Sequence, residues 1–246
     1  MNPFRNSFNF VIIILTLCIF TGHASDLDIF FDGKHGQIEV GSKYVGVEFH
    51  HSRPLPSRIS FYYPVANSLD LSRDYWKRDE SMPFALTVAY DDKIDSIGYK
   101  SFVYRYTPFS VVFMEKLEDY HLQISYDFCE NIPVLVYSVI LENRSEESKK
   151  FKIQTETQII LRTCHTYNFK EATSSAYSND RQLYIADFSD PETDSALVFI
   201  SNVGDQSEKT RPNSKSDYPA RFVYQKILEP NQQIRIVQLI GSCSAG

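Results

Sequence analysis

The sequence predicts an all-β protein: a large antiparallel two-sheet β-sandwich with little helix. Three observations predict it. First, His121–Phe128 alternates strictly, with Leu122, Ile124, Tyr126 and Phe128 on one face and His121, Gln123, Ser125 and Asp127 on the other. Second, Phe151–Leu161 repeats the pattern, with Phe151, Ile153, Thr155, Thr157, Ile159 and Leu161 opposed to Lys152, Gln154, Glu156 and Gln158. A period of two marks a strand with one buried and one wet face. Third, Val134–Leu141 between them is apolar on both faces, as in a strand covered on both sides. The connections Glu130–Pro133 and Glu142–Lys150 are rich in turn formers. Tyr120–Arg162 therefore reads as a three-strand antiparallel meander on which the rest of the chain is built.

Of the 246 residues, 1–24 read as a secretory signal peptide and 25–246 as a single domain. Arg5 precedes the apolar run Phe10–Phe20, and Thr21-Gly22-His23-Ala24 offers small residues to a signal peptidase. The run is short for a membrane span. The expectation is an exported chain, periplasmic, cell-surface or secreted, with no transmembrane segment after cleavage. Leu17 before Cys18, where a lipoprotein signal has a small residue, argues against a lipid anchor. A formal charge of -6 without a basic stripe argues against nucleic acid as a partner. The later cysteines, Cys129, Cys164 and Cys243, form no CxxC pair and no metal-like spacing. At most one disulfide can form among them, and small buried hydrophobes are the expected role. No metal site and no cofactor are expected.

In chain order, Leu27–Phe31 and Gln37–Val40 read as a first hairpin around Asp32-Gly33. Tyr44–His51 and Ile59–Tyr63 are strands, with the proline-bearing Ser52–Ser57 irregular or extended between them and Pro64 ending the second. Asn67–Met82 holds the only Trp among many charges and reads as a long functional or packing loop. Phe84–Tyr90 is a strand, Asp91–Gly98 a turn, Tyr99–Thr107 and Ser110–Leu117 strands, and Glu118-Asp119 a turn into the meander. Thr163–Ser178 shows no clear period. Leu183–Phe188 and Ala196–Ser201 pair around Asp190-Pro191, and Asn202–Pro219 loops. Arg221–Leu228 and Gln233–Gly241 close the domain as an antiparallel pair around Glu229-Pro230-Asn231.

Three features together resemble the N-terminal β-supersandwich (galactose-mutarotase-like) domain of glycoside hydrolases and phosphorylases that carry an (α/α)6-barrel. One is the long meander. Another is its middle, where Val134–Leu141 runs into Glu142-Asn143-Arg144-Ser145 and the chain returns at Phe151. The last is the closing Leu228-Glu229-Pro230-Asn231 before a final strand, with Asn231 where such domains usually have Gly. The resemblance covers most of residues 26–241. It implies a domain that supports a catalytic (α/α)6-barrel or contacts carbohydrate. The catalytic acid and base of those enzymes lie in the barrel, and this sequence stops at Gly246, where such an enzyme would enter its linker. No catalytic residue carries over, so the chain is expected not to be catalytic alone.

Glycosidase chemistry needs two carboxylates about 5–10 Å apart. Glu48, Asp70, Asp74, Asp79, Glu80, Glu115 and Glu156 sit in no identifying motif and read mostly as solvated charges. Glu48, His50, His51, Arg53 and Arg58 form the densest polar cluster. Adjacent strand histidines point to opposite faces, which favours a hydrogen-bonding role for His50 and Arg53 over a metal site. Cys164-His165 lacks the geometry of a nucleophile and base. Sugars offer apolar C–H faces and hydroxyl rims, so aromatics beside charged groups suit them. That makes Trp76, Tyr75, Arg78 and Tyr63, with His50, Arg53 and Glu48, the candidate carbohydrate-binding residues. Trp76 packing beneath its own loop is the competing structural reading. The rival functions are a lectin-like or protein-interaction module, and an all-β sugar-active enzyme (mutarotase- or lyase-like) using His50, His165 and nearby carboxylates.

Overall fold

A computed structural model describes residues 29–31, 38–49, 53–64, 69–71, 83–97, 102–157, 161–163, 169–170, 174–178, 182–188, 196–204 and 220–244. These hold strands, turns and bends, and no helix occurs among them. The first strands are β1 (Ile29–Phe31), β2 (Ile38–Gly41), β3 (Val45–Phe49), β4 (Arg58–Phe61), β5 (Leu69–Leu71), β6 (Phe84–Tyr90) and β7 (Lys93–Ile97). Next come β8 (Val103–Thr107), β9 (Ser110–Lys116), β10 (Tyr120–Phe128), β11 (Val134–Asn143) and β12 (Lys149–Thr157). The last are β13 (Leu161–Thr163), β14 (Phe169–Lys170), β15 (Ser174–Ser178), β16 (Leu183–Asp187), β17 (Ala196–Asn202), β18 (Ala220–Leu228) and β19 (Gln233–Ser244).

They form a nine-stranded sheet in the order β1-β8-β9-β10-β11-β19-β17-β16-β15, a four-stranded sheet β18-β12-β6-β7 and a six-stranded sheet β14-β13-β5-β4-β3-β2. Every pairing is antiparallel. The two smaller sheets pack side by side on one face of the large one, which makes a β-sandwich. Tyr120, Tyr126 and Tyr137 form a buried spine on that inner face. Tyr120 meets Tyr90 and Phe151 of the four-stranded sheet at ring-centroid distances of 5.5 and 6.0 Å. Tyr126 meets Phe49 of the six-stranded sheet at 5.0 Å and stacks on Tyr137 at 5.3 Å. Large rings at these positions bury much apolar area per residue, which lets one core serve three sheets. The Tyr120 and Tyr126 hydroxyls donate to Asp95 Oδ2 (3.0 Å) and the Pro54 carbonyl (2.8 Å), so neither polar end is stranded.

The alternating strands fall where their period puts them, but several pairings differ from expectation. β10 pairs with β11, yet β12 leaves for the four-stranded sheet, where it lies between β18 and β6. The three-strand meander is therefore a hairpin followed by a crossing between layers. β11 is fully buried on its inner face and only half-buried at Val136 and Ile140 on its outer one. The closing strands divide in the same way, β18 pairing with β12 and β19 with β11 and β17. β1 and β2 do not form the expected hairpin: β1 pairs with β8 and β2 with β3. Lys93–Ile97, read as part of a turn, is a strand paired with β6, and the tight turn narrows to Asp91-Asp92 with Asp91 at φ 49°. Two short strands, β14 and β15, occur in the stretch without a clear period. These are errors of pairing and turn length, which period alone does not encode.

The cysteine expectation also needs correction. Cys129 is disulfide-bonded, to a partner outside the described residues, and Cys243 is a free, half-buried thiol. Cys129 packs with Val134 and Leu239 in a small apolar cluster apart from the main core. Among the described residues no helix is long and apolar enough to cross a membrane.

Candidate functional site

The outer face of the six-stranded sheet gathers the most chemistry. Its inner face is apolar, with Val45, Val47, Phe49, Ile59, Phe61 and Leu71 each at 0–1 % exposure. Period two then turns Glu39, Tyr44, Gly46, Glu48, Arg58, Ser60 and Asp70 outward. Register places Glu39, Glu48 and Arg58 in one row, and Gly41, Gly46, Ser60 and Asp70 in the next. The Tyr62 amide donates to the Tyr44 carbonyl at 2.9 Å and extends the ladder by one residue.

This face is built on an ionic row that is buried at Glu48 and open at Glu39. Arg58 Nη2 lies 2.8 Å from Glu48 Oε2 and 3.4 Å from Glu39 Oε1, and the Glu48 side chain is 1 % exposed. Ser60 is 3 % and Asp70 5 % exposed. Asp70 Oδ1 is buried and has no hydrogen-bond partner among the described residues. The glycine at position 46 clears the space above the row: a Cβ there would stand 2.6 Å from the Tyr62 hydroxyl. The Tyr62 ring therefore leans over β3 while staying 42 % exposed. Burial foremost, then the carboxylates of Glu39 and Asp70, push its phenol above the ordinary range, while Arg58 and a hydrogen bond with Ser60 pull it back. Tyr63, also exposed, meets Tyr44 edge-on at 6.4 Å, and Lys43 Nζ lies 5.0 Å over the Tyr44 ring.

Local sequence explains the placement. Pro54 and Pro56 fix φ in the bent β3–β4 connection, and the amide and hydroxyl of Ser57 both donate to the Glu48 carbonyl, at 2.8 and 2.9 Å. That fixes the register that brings Arg58 opposite Glu48. Pro64 ends the segment after a cis Tyr63–Pro64 bond, and Ser242 of β19 donates to the Tyr63 carbonyl. The aromatic end of the site is thereby tied to the large sheet.

Among the residues expected at the site, Glu48 lies in the ionic row and Tyr63 at its aromatic end. Arg53 is buried, 2 % exposed, in the connection between them. His50, Tyr75, Trp76 and Arg78 lie outside the described residues. Glu48 and Asp70, read among the solvated charges, are interior. Asp70 was the residue most underrated by sequence. The signal was the short alternation Leu69-Asp70-Leu71 inside a segment taken as loop.

A second polar surface lies on the outer face of the nine-stranded sheet. Ser125 and Ser138 share a hydrogen bond of 2.7 Å there, both buried. Asp127 is exposed by surface area, yet its surroundings push its carboxyl above the ordinary range, with Arg235 and Arg105 pulling it back. At the rim, Glu142 accepts from Arg144 at 3.0 Å and lies 3.7 Å from His121 Nδ1. Among the described residues no group of three metal-binding side chains occurs on either face.

No protein-family model matches the chain, and no curated protein matches it. Solved structures do. A polysaccharide lyase aligns with TM-score 0.51 and 10% identity over 85% of this chain and 34% of its own. A kojibiose phosphorylase from the human microbiome aligns with TM-score 0.51 and 9% identity over 88% of this chain and 32% of its own. A galactose mutarotase related enzyme from Lactobacillus acidophilus aligns at 0.47 and 11% identity, over 85% of this chain and 97% of its own. The chain thus spans about a third of the length of the lyase and of the phosphorylase. At such identities the likeness speaks for fold alone: this chain shares its antiparallel β-sandwich with part of the lyase and part of the phosphorylase.

Proposed function

We propose that the chain is an exported, carbohydrate-processing domain that contacts glycan and is not catalytic by itself. One observation carries this reading: exposed Tyr62 leans over β3 beside the outward row of Ser60 and Asp70, next to the row of Glu39, Glu48 and Arg58, with Tyr44 and exposed Tyr63 in ring contact at the end of the same strands. Aromatic rings take the apolar C–H face of a sugar, and the polar row takes its hydroxyls. Glu39 and Glu48 share Arg58 instead of facing one another across a gap, which suits binding better than glycosidic cleavage. The names of the lyase and the phosphorylase support a carbohydrate setting, and their greater length supports a domain that works beside a catalytic one. The leader-like segment 1–24 supports export, and the disulfide at Cys129 suits an oxidising compartment.

Affinity electrophoresis of the purified chain through gels containing soluble polysaccharides tests the reading. Retardation by at least one polysaccharide, lost in Tyr62→Ala and Tyr63→Ala, is the expected result. Unchanged mobility in every gel contradicts it.

A further inference from the structure

Resting on that glycan-binding reading, we infer that Asp70 is the residue that selects the ligand: it accepts a hydrogen bond from a hydroxyl of an uncharged sugar ring seated beside Tyr62. A buried polar atom without a partner is rare, because desolvation is then uncompensated. Asp70 is 5% exposed, and its Oδ1 has no hydrogen-bond partner among the described residues. Among the described side chains, none takes up that capacity. Arg58 is turned to Glu48 and Glu39. Ser60 stands directly across from Asp70 in register on one side, and Arg162 of β13 on the other.

The chemistry of a carboxylate oxygen then limits the ligand. Oδ1 accepts and never donates, so the incoming group must be an O–H or N–H donor. A sugar hydroxyl qualifies, and the carboxylate of a uronic acid or the sulfate of a sulfated sugar does not. The face adds three carboxylates, Glu39, Glu48 and Asp70, against Arg58 and the register position of Arg162, which further disfavours an anion. A hydroxyl bound there would satisfy an Oδ1 that has no partner among the described residues, a pattern that trades stability for binding.

The test is calorimetric titration of the full chain with a panel of neutral gluco-, galacto- and manno-oligosaccharides, and with uronic-acid oligosaccharides. Asp70→Asn and Asp70→Ala are run beside it, together with thermal melts of the unliganded proteins. The expected result is binding of a neutral oligosaccharide that weakens at least tenfold in both variants, while their melting temperatures equal or exceed that of the parent. Variants that bind as well as the parent overturn the role of Asp70 and leave glycan binding standing. Variants that melt lower assign Asp70 a structural role and overturn the inference. Preference for the uronic-acid probes overturns the ligand class, and a parent that binds no oligosaccharide removes the underlying reading as well.

Discussion

The side-chain amide of Asn143 donates to the carbonyl of Leu228 at 2.8 Å, and so joins the two places where the chain crosses between layers. After β11 the chain passes through residues 144–148 into β12, and after β18 it returns through 229–232 into β19. The same amide donates to the Glu147 carbonyl at 2.9 Å, and Oδ1 accepts from the Ser145 amide at 3.0 Å and hydroxyl at 2.7 Å. Backbone bonds between Asn143 and residues 231 and 232 complete the clasp. Asn143 is 0 % exposed.

Asn143→Ala removes both donors and strands the Leu228 carbonyl in the interior. Each buried group left unmade costs about 1–3 kcal/mol, so the variant should lose about 2–4 kcal/mol in urea unfolding. A loss under about 0.5 kcal/mol would show that the clasp is dispensable.

The same clasp shows how much of the fold was legible. The two segments that carried the family resemblance, Asn143-Arg144-Ser145 and Leu228-Glu229-Pro230-Asn231, meet here, and Asn231 adopts φ 64°, the conformation for which Gly is usual. Strand positions were readable because side-chain period is local. Partners were not, since the 144–148 and 229–232 turns look like hairpin turns but carry the chain to another sheet. On the six-stranded sheet, the clustering of Glu48 with Arg58 was legible from their nearness in sequence, while the burial of Glu48 was not. Asp70 was not, because three residues of strand are too short a run to show a period.

Two glycines on the six-stranded sheet should respond differently to a methyl group. A Cβ on Gly41 would stand 2.2 Å from the Val45 carbonyl oxygen, which is backbone, whereas on Gly46 it meets the end of the Tyr62 side chain. Gly41→Ala should cost roughly 2 kcal/mol or more in denaturant unfolding. Gly46→Ala should cost less than half as much, and displace the Tyr62 ring enough to abolish retardation by glycan. Equal losses of stability would contradict this.

Two aspartates should give opposite pH responses. A hydrogen bond from Lys93, foremost, and others from Lys149 and Tyr90 hold the Asp119 carboxyl below its ordinary value of 3.8. Its stabilisation is present above that value and lost as pH falls through the lower folded value. Asp119→Asn should therefore melt below the parent at pH 6, with the gap closing toward pH 3. Desolvation by its surroundings raises the Asp127 carboxyl, though solvent screens the exposed group, so a small cost is present at neutral pH and absent well below 3.8. Asp127→Asn should melt above the parent at pH 7 and level with it at pH 3. Gaps of the same sign for both variants at neutral pH would contradict the assignment.

The disulfide at Cys129 should be visible in thermal melts. Reducing agent should lower the melting temperature of the parent and leave Cys129→Ser unmoved, since the cross-link acts chiefly on the unfolded chain. Equal responses of the two proteins would place the bond elsewhere.

The central claim is that ligand contact falls on the outer face of the six-stranded sheet. Hydrogen–deuterium exchange with a bound neutral oligosaccharide tests it most directly. The account predicts added protection confined to peptides spanning 38–49, 58–63 and 69–71. Protection confined instead to β10, β11 and β19, around Asp127 and Arg235, would contradict it.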